Sequence, residues 1–144
     1  MFDRLIILAA FALLLTTAYL LWRVRLQQQT QRLAVADPGG PAELAGLSLA
    51  AAPAVLYFTT PTCAQCRFQQ TPALAQVQKQ LSGLQVLKLD AIEHQQLADY
   101  YLVMTVPTTV VLDSRRRPVA INHGPATTER LLAQIGQANV NRKP

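Results

Sequence analysis

Leu5 to Trp22 runs without a charged residue, and its apolar side chains fall on every face of a helix. A helix apolar all round needs surroundings that are not water, and crossing a bilayer core takes about 20 such residues. Tyr19 and Trp22 lie at the C-terminal end of the run, where amphipathic rings favour the membrane interface. Arg23 and Arg25 follow and can reach headgroups with their charged ends. The pattern predicts a transmembrane anchor over residues 1–26, in contact with lipid through 5–22. Residues 27–49 then read as a linker. A Gln-rich stretch could continue the helix out of the membrane, Asp37-Pro38-Gly39-Gly40-Pro41 breaks it, and Ala42 to Ala51 is a weak helix or an irregular lead-in.

From residue 50 to 140 the pattern becomes that of one small α/β domain. Ala54–Thr59 is a compact apolar run with the length of a buried strand. Cys63–Leu81 reads as a helix kinked at Pro72, which lacks an N–H, and Ser82-Gly83 ends it. Leu84–Leu89 is a second strand, Glu93–Tyr101 a short helix and Thr108–Leu112 a third strand, with Pro107 just before it. Asp113–Arg117 is a turn and Pro118–Asn122 a fourth strand. Thr127–Gln137 closes the chain as a helix, with Thr127 at the N-cap, Glu129 in the first turn, and Leu131, Leu132 and Ile135 on one face. The order β-α-β-α-β-β-α predicts parallel pairing first and a hairpin later.

Composition sharpens the reading of the N-terminus. The chain is 51% hydrophobic and only 15% charged, an excess concentrated in the first 26 residues. A cleaved signal peptide would have an apolar core of about 7–15 residues ending near a small-x-small site. Here the run is longer, and Ala34-Val35-Ala36 lies well past it, so an uncleaved anchor is expected. The net charge of +5 does not indicate nucleic acid. Arg115-Arg116-Arg117 is the one dense basic run, and it falls in a turn with no aromatic interleaving.

The chemistry centres on Cys63-Ala64-Gln65-Cys66, which holds the only two cysteines in the sequence. A Cys-x-x-Cys between a strand and a helix indicates a redox dithiol. A thiolate at a helix N-terminus is stabilised by unpaired N–H groups and the positive end of the dipole, which lowers the pKa of Cys63 and makes it the nucleophile. Half of a zinc site is the first rival, but a structural site needs four ligands. No second Cys pair exists, and His94 and His123 stand far from the motif and from each other. A static staple is the second rival, but so short a loop gains little from closure. Redox exchange and soft-metal transfer remain.

With these residues in view the chain resembles the thioredoxin superfamily over about residues 50–138. The resemblance rests on Val55-Leu56-Tyr57-Phe58-Thr59-Thr60-Pro61-Thr62-Cys63-Ala64-Gln65-Cys66, on Val86-Leu87-Lys88-Leu89-Asp90, on Val106-Pro107-Thr108-Thr109-Val110-Val111-Leu112-Asp113, and on His123-Gly124. It implies a thioredoxin-like α/β fold, a central mixed sheet flanked by helices. It further implies that Pro107 is cis and faces the dithiol, and that the backbone of Val106 pairs with an extended substrate segment. The chain departs from the family pattern at Thr62, where thioredoxins carry Trp, and at Ala64-Gln65 in place of Gly-Pro. Tyr57 falls where thioredoxins keep a buried acid, and a phenol with a reference pKa near 10 is a poor base. The lead-in Thr60-Pro61-Thr62-Cys63 is closer to glutaredoxin-like members, without a convincing glutathione site. The domain's start is short for the family, so its first strand is expected to be missing.

The function expected is that of a membrane-tethered thiol–disulfide oxidoreductase, acting on protein disulfides and dithiols through Cys63 and Cys66, as a monomer and without metal or cofactor. Two alternatives stand beside it: a copper-delivery module passing Cu(I) between the two thiolates, and a non-catalytic accessory subunit of a membrane complex. Arg67 is read either as a thiolate stabiliser or as a solvated helix residue, and Lys88 as a strand-end residue. Arg23, Arg25 and Arg32 follow the anchor, while only Arg4 and the amino terminus precede it. The positive-inside bias therefore places the redox domain in the cytoplasm. Against it, many tethered thioredoxin-like proteins face the outside, where disulfides persist.

Overall fold

The computed structural model describes residues 11–22, 24–25 and 41–140. The lead-in forms a short helix, α1 (Ala42–Gly46), and the domain continues as β1 (Ala54–Thr59), a π-helical turn (Cys66–Gln70), α2 (Thr71–Gln80), β2 (Gln85–Asp90), α3 (Gln95–Tyr100), β3 (Thr108–Leu112), β4 (Pro118–His123) and α4 (Thr128–Val140). One four-stranded sheet has the order β2-β1-β3-β4. β1 runs parallel to β2, with Phe58 opposite Leu89, and antiparallel to β3, with Phe58 opposite Thr108. β3 and β4 form the expected hairpin. Among the described residues no strand precedes β1.

Every residue of β1 is buried, because alternate side chains enter two separate cores. Val55 and Tyr57 pack with Cys66, Leu74, Val77, Leu131 and Ile135, on the side of α2 and α4. Leu56 and Phe58 pack with Leu44, Leu97, Tyr101, Val110 and Leu112, on the side of α1 and α3. A strand buried on both faces reads as a continuous apolar run, which is how Ala54–Thr59 appears in the sequence.

The kink expected at Pro72 takes a specific form. Pro72 has no N–H to offer the carbonyl four residues back. The helix widens ahead of it instead, and the Thr71 N–H donates to the Cys66 carbonyl, five residues back. The hairpin turn is built around Asp113, only 3% exposed. Its carboxylate accepts the backbone N–H groups of Arg115 and Arg117 and two guanidinium bonds from Arg117, at 2.8–2.9 Å. The basic run is thus a turn whose last arginine is tied to an acid.

His94 is engaged by α1. Its Nδ1 lies 2.7 Å from Glu43 Oε1, and Glu43 Oε2 accepts the Leu97 N–H at 3.2 Å. The carboxylate therefore caps the first turn of α3 from another element, where donors would otherwise be unpaired. Glu43→Ala should lower stability by about 1 kcal/mol, the usual worth of a cap. The check is a urea midpoint that falls with no change in slope, partly restored in Glu43→Gln; an unmoved midpoint would show that the cap contributes nothing.

The expected membrane span begins on residues 5–10, which lie outside the described residues, as do Arg23, Arg32, Ala34-Val35-Ala36 and Asp37-Pro38-Gly39-Gly40. Residues 11–22 are helical. Among the described residues no helix is long and apolar enough to cross a membrane.

Candidate active site

At the C-terminal end of β1 the chain turns through Thr60-Pro61-Thr62, and the Cys63 N–H donates to the Thr60 carbonyl at 3.2 Å. Cys63 and Cys66 are joined in a disulfide, with Cα atoms 5.3 Å apart. The two sulfurs occupy different surroundings. Cys63 is partly exposed, whereas Cys66 is 2% exposed and belongs to the core. The Cys66 N–H donates to Cys63 Sγ at 3.1 Å. That bond would favour negative charge on Cys63 once the disulfide opens.

Tyr57 lies beneath the motif, 2% exposed. Its hydroxyl donates to the Cys66 carbonyl at 3.0 Å and stands 3.3 Å from Thr71 Oγ1. That carbonyl accepts both the Tyr57 hydroxyl and the Thr71 N–H. Tyr57 thus acts as a donor to the backbone of the redox turn and offers no carboxylate.

β3 brings the second expected segment to the same end of the sheet. Phe58 is opposite Thr108, so Val106-Pro107 lies beside the end of β1. The Val106–Pro107 peptide bond is cis. Val106 and Cys63 pack against the same core cluster. Among the described residues the Val106 N–H and carbonyl have no hydrogen-bond partner, so both can serve an incoming strand. β4 closes the site from the far side: His123 is opposite Thr108, and the Gly124 N–H donates to the Pro107 carbonyl at 2.8 Å. Gly124 has φ +91°, which a glycine adopts without strain. His123 keeps much of its surface exposed, yet partial burial pushes its pKa below the ordinary 6.5. It is therefore neutral near pH 7.

Other candidates fall outside the site. The exposed Arg67 guanidinium sits 4.8 Å from the Phe68 ring centroid, which fits a solvated helix residue. Lys88 is exposed on the edge strand β2. Among the described residues no three His, Cys, Asp or Glu side chains cluster as a metal site.

One residue of the site has no counterpart among the expected ones. Gln70 is fully buried at 0% exposure. Its Oε1 accepts the Ala126 N–H at 2.7 Å, and its Nε2 donates to the Ala126 carbonyl at 3.4 Å. The sequence does carry a signal for it. Cys66, Gln70, Leu74 and Val77 follow a helical i, i+4, i+8, i+11 spacing, so Gln70 is the one polar residue on an inward face.

A buried sulfur and a partly exposed one at a helix start, beside a proline turn with free backbone groups, define a thiol–disulfide redox centre. The thioredoxin family profile matches residues 45–137, and the chain belongs to that family. Among solved structures it is similar to thioredoxin-2 of the malaria parasite, described as a component of its protein secretion machinery, at 25% identity over 60% of this chain and 82% of that one, with a TM-score of 0.54. A thioredoxin-like protein from Clostridium perfringens aligns at 25% identity over 65% of this chain and 75% of that one, TM-score 0.57. Fasciola hepatica thioredoxin, at 22% identity over 62% and 83% of the two chains and a TM-score of 0.53, shares the fold. No curated protein matches the chain. Family and disulfide together support thiol–disulfide redox function.

Proposed function

We propose that this chain is a membrane-tethered thiol–disulfide oxidoreductase of protein substrates, with Cys63 as nucleophile and Cys66 as resolving residue. The observation that carries this is the asymmetry of the pair: Cys63 is accessible and accepts an N–H bond on sulfur, while Cys66 is buried behind it. In the reduced protein the Cys63 thiolate attacks one sulfur of a partner disulfide. A Cys63–partner S–S bond forms, the partner's own bond breaks, and the departing sulfur takes up a proton. Cys66, on losing its proton, attacks Cys63 Sγ; the Cys63–Cys66 bond forms and the second partner sulfur leaves as a thiolate. Two electrons and one proton pass from the Cys63 thiolate and Cys66 thiol to the partner, which ends as one thiol and one thiolate, and the reverse sequence oxidises a partner dithiol. The free backbone groups of Val106 are the docking line for the substrate segment.

The decisive experiment uses the full-length chain in detergent micelles, with insulin as the disulfide and dithiothreitol as the reductant. Reduction should run well above the rate with dithiothreitol alone. No acceleration, together with one copper ion retained per chain, would favour metal delivery instead. The reduction potential of the Cys63–Cys66 couple then sets direction: near about −270 mV the domain reduces partners, and near about −120 mV it oxidises them.

Tethering rests on residues 5–22. Along the described part, Phe11, Leu13, Leu14, Leu20, Leu21 and Trp22 are all more than half exposed. The Thr16 and Thr17 hydroxyls donate back to carbonyls of their own helix at 2.9–3.0 Å, so neither hydroxyl needs water. The full chain should stay with membranes in alkaline carbonate, and a chain starting at residue 27 should not. The basic residues after the anchor favour a cytoplasmic domain, so protease added to spheroplasts should spare it; digestion before lysis would put it on the other side.

A further inference from the structure

Three segments surround the disulfide: the redox helix, the turn at Val106-Pro107 and the loop Gly124-Pro125-Ala126. The loop is held on both sides. Gly124 N–H reaches the Pro107 carbonyl at 2.8 Å, and the Gln70 amide grips both backbone groups of Ala126 at 2.7 and 3.4 Å. Ala126 is itself 3% exposed, so no water replaces the amide if it is removed. Gln70 comes four residues after Cys66, inside the π-helical turn. Its side chain thus fixes the loop directly to the element that carries the resolving sulfur.

We infer that Gln70 is a positioning residue for substrate recognition, setting the gap between the Cys63–Cys66 disulfide and the Gly124–Ala126 edge that a polypeptide partner must enter. The inference rests on the proposed oxidoreductase reading. It divides the work of the site. Attack on sulfur depends on Cys63 and the Cys66 N–H, which Gln70 does not touch. Alignment of an extended chain depends on the walls, which Gln70 holds. A small disulfide needs only the first, and a polypeptide disulfide needs both. A separate link lies farther along, between α4 and α2: the Thr128 hydroxyl lies 3.0 Å from Gln76 Oε1 and 3.4 Å from the Ala73 carbonyl. It serves as the control.

The test uses pre-reduced full-length chain in detergent micelles with two oxidants, insulin and bis(2-hydroxyethyl) disulfide, counting remaining thiols after an acid quench. Gln70→Met keeps the volume and removes both bonds. It should raise the half-saturating insulin concentration about tenfold, the effect expected when wall alignment is lost but chemistry is not. The limiting rate and the rate with the small disulfide should stay near wild type. Gln76→Met should behave as wild type with both oxidants. Gln70→Glu retains an acceptor for the Ala126 N–H, so it should fall between wild type and Gln70→Met; it carries the test if Gln70→Met does not fold. An equal slowing with both oxidants, an equal shift in Gln76→Met, or no shift in either Gln70 variant would overturn the inference. Failure of the wild-type chain to react with either oxidant would instead overturn the oxidoreductase reading.

Discussion

Cys63→Ser should reduce catalysis of insulin reduction to the rate of dithiothreitol alone, while Cys66→Ser should convert the enzyme into a trap. The two outcomes follow from where the sulfurs sit. Without Cys63 no accessible thiolate remains, because Cys66 is 2% exposed and enclosed by Tyr57, Leu74 and Val77. Without Cys66 the accessible sulfur still attacks, but no second thiol releases the partner. Non-reducing gels of the Cys66→Ser chain should show adducts that dithiothreitol dissolves, and gels of the Cys63→Ser chain should lack them. Adducts of equal yield in both would reverse the roles. The helix start and the Cys66 N–H also predict that Cys63 alkylates as a thiolate well below pH 8.5, the usual value for a free cysteine.

The largest effect on stability is expected at Phe58. It is fully buried on the inner strand β1, between Leu89 on β2 and Thr108 on β3. Its ring stands 6.4 Å from that of Tyr101. Phe58→Ala leaves a cavity that strands on both sides keep from collapsing, so the loss should be about 3–5 kcal/mol. Against the roughly 5–15 kcal/mol that holds a typical domain together, that leaves little margin at 37 °C. Urea unfolding of the oxidised chain measures it directly; a loss below about 1 kcal/mol would mean the site repacks. Leu56→Ala, in the same core, should cost somewhat less for its smaller side chain.

Much of the fold was legible because its signals are local. β1 shows as an unbroken apolar run, the redox motif as its continuation, and β3 as another run opened by Pro107. Thr127 was legible as a helix start, and the Arg130 N–H does donate to its hydroxyl at 3.3 Å. The parts that were not legible depend on partners distant in sequence. Glu43 reaches His94 and Leu97 across more than 50 positions, and nothing beside either residue announces the other. Gln70 is similar: its spacing marks an inward polar residue, but its partner, Ala126, is a plain backbone with no side-chain signature. Pro72 signalled a disturbance in the helix without fixing its form. Whether the chain kinks or adds a residue to a turn depends on what lies beneath, and beneath lies the Tyr57 hydroxyl. The segment 42–51 read as a weak lead-in because its helix is too short for a periodic pattern. It is held by tertiary contact, with Leu44 at 0% exposure.

The sheet also acts as a mechanical partition. α1, the first described element of the domain on the side of the proposed tether, is keyed to α3 through Glu43, His94 and Leu44, all in the layer opposite the disulfide. A pull applied to the chain ahead of α1 would load that layer first. The redox turn, on the other side of four hydrogen-bonded strands, would be shielded from the strain. A domain built this way would keep the geometry of its sulfurs when pulled from its N-terminal end.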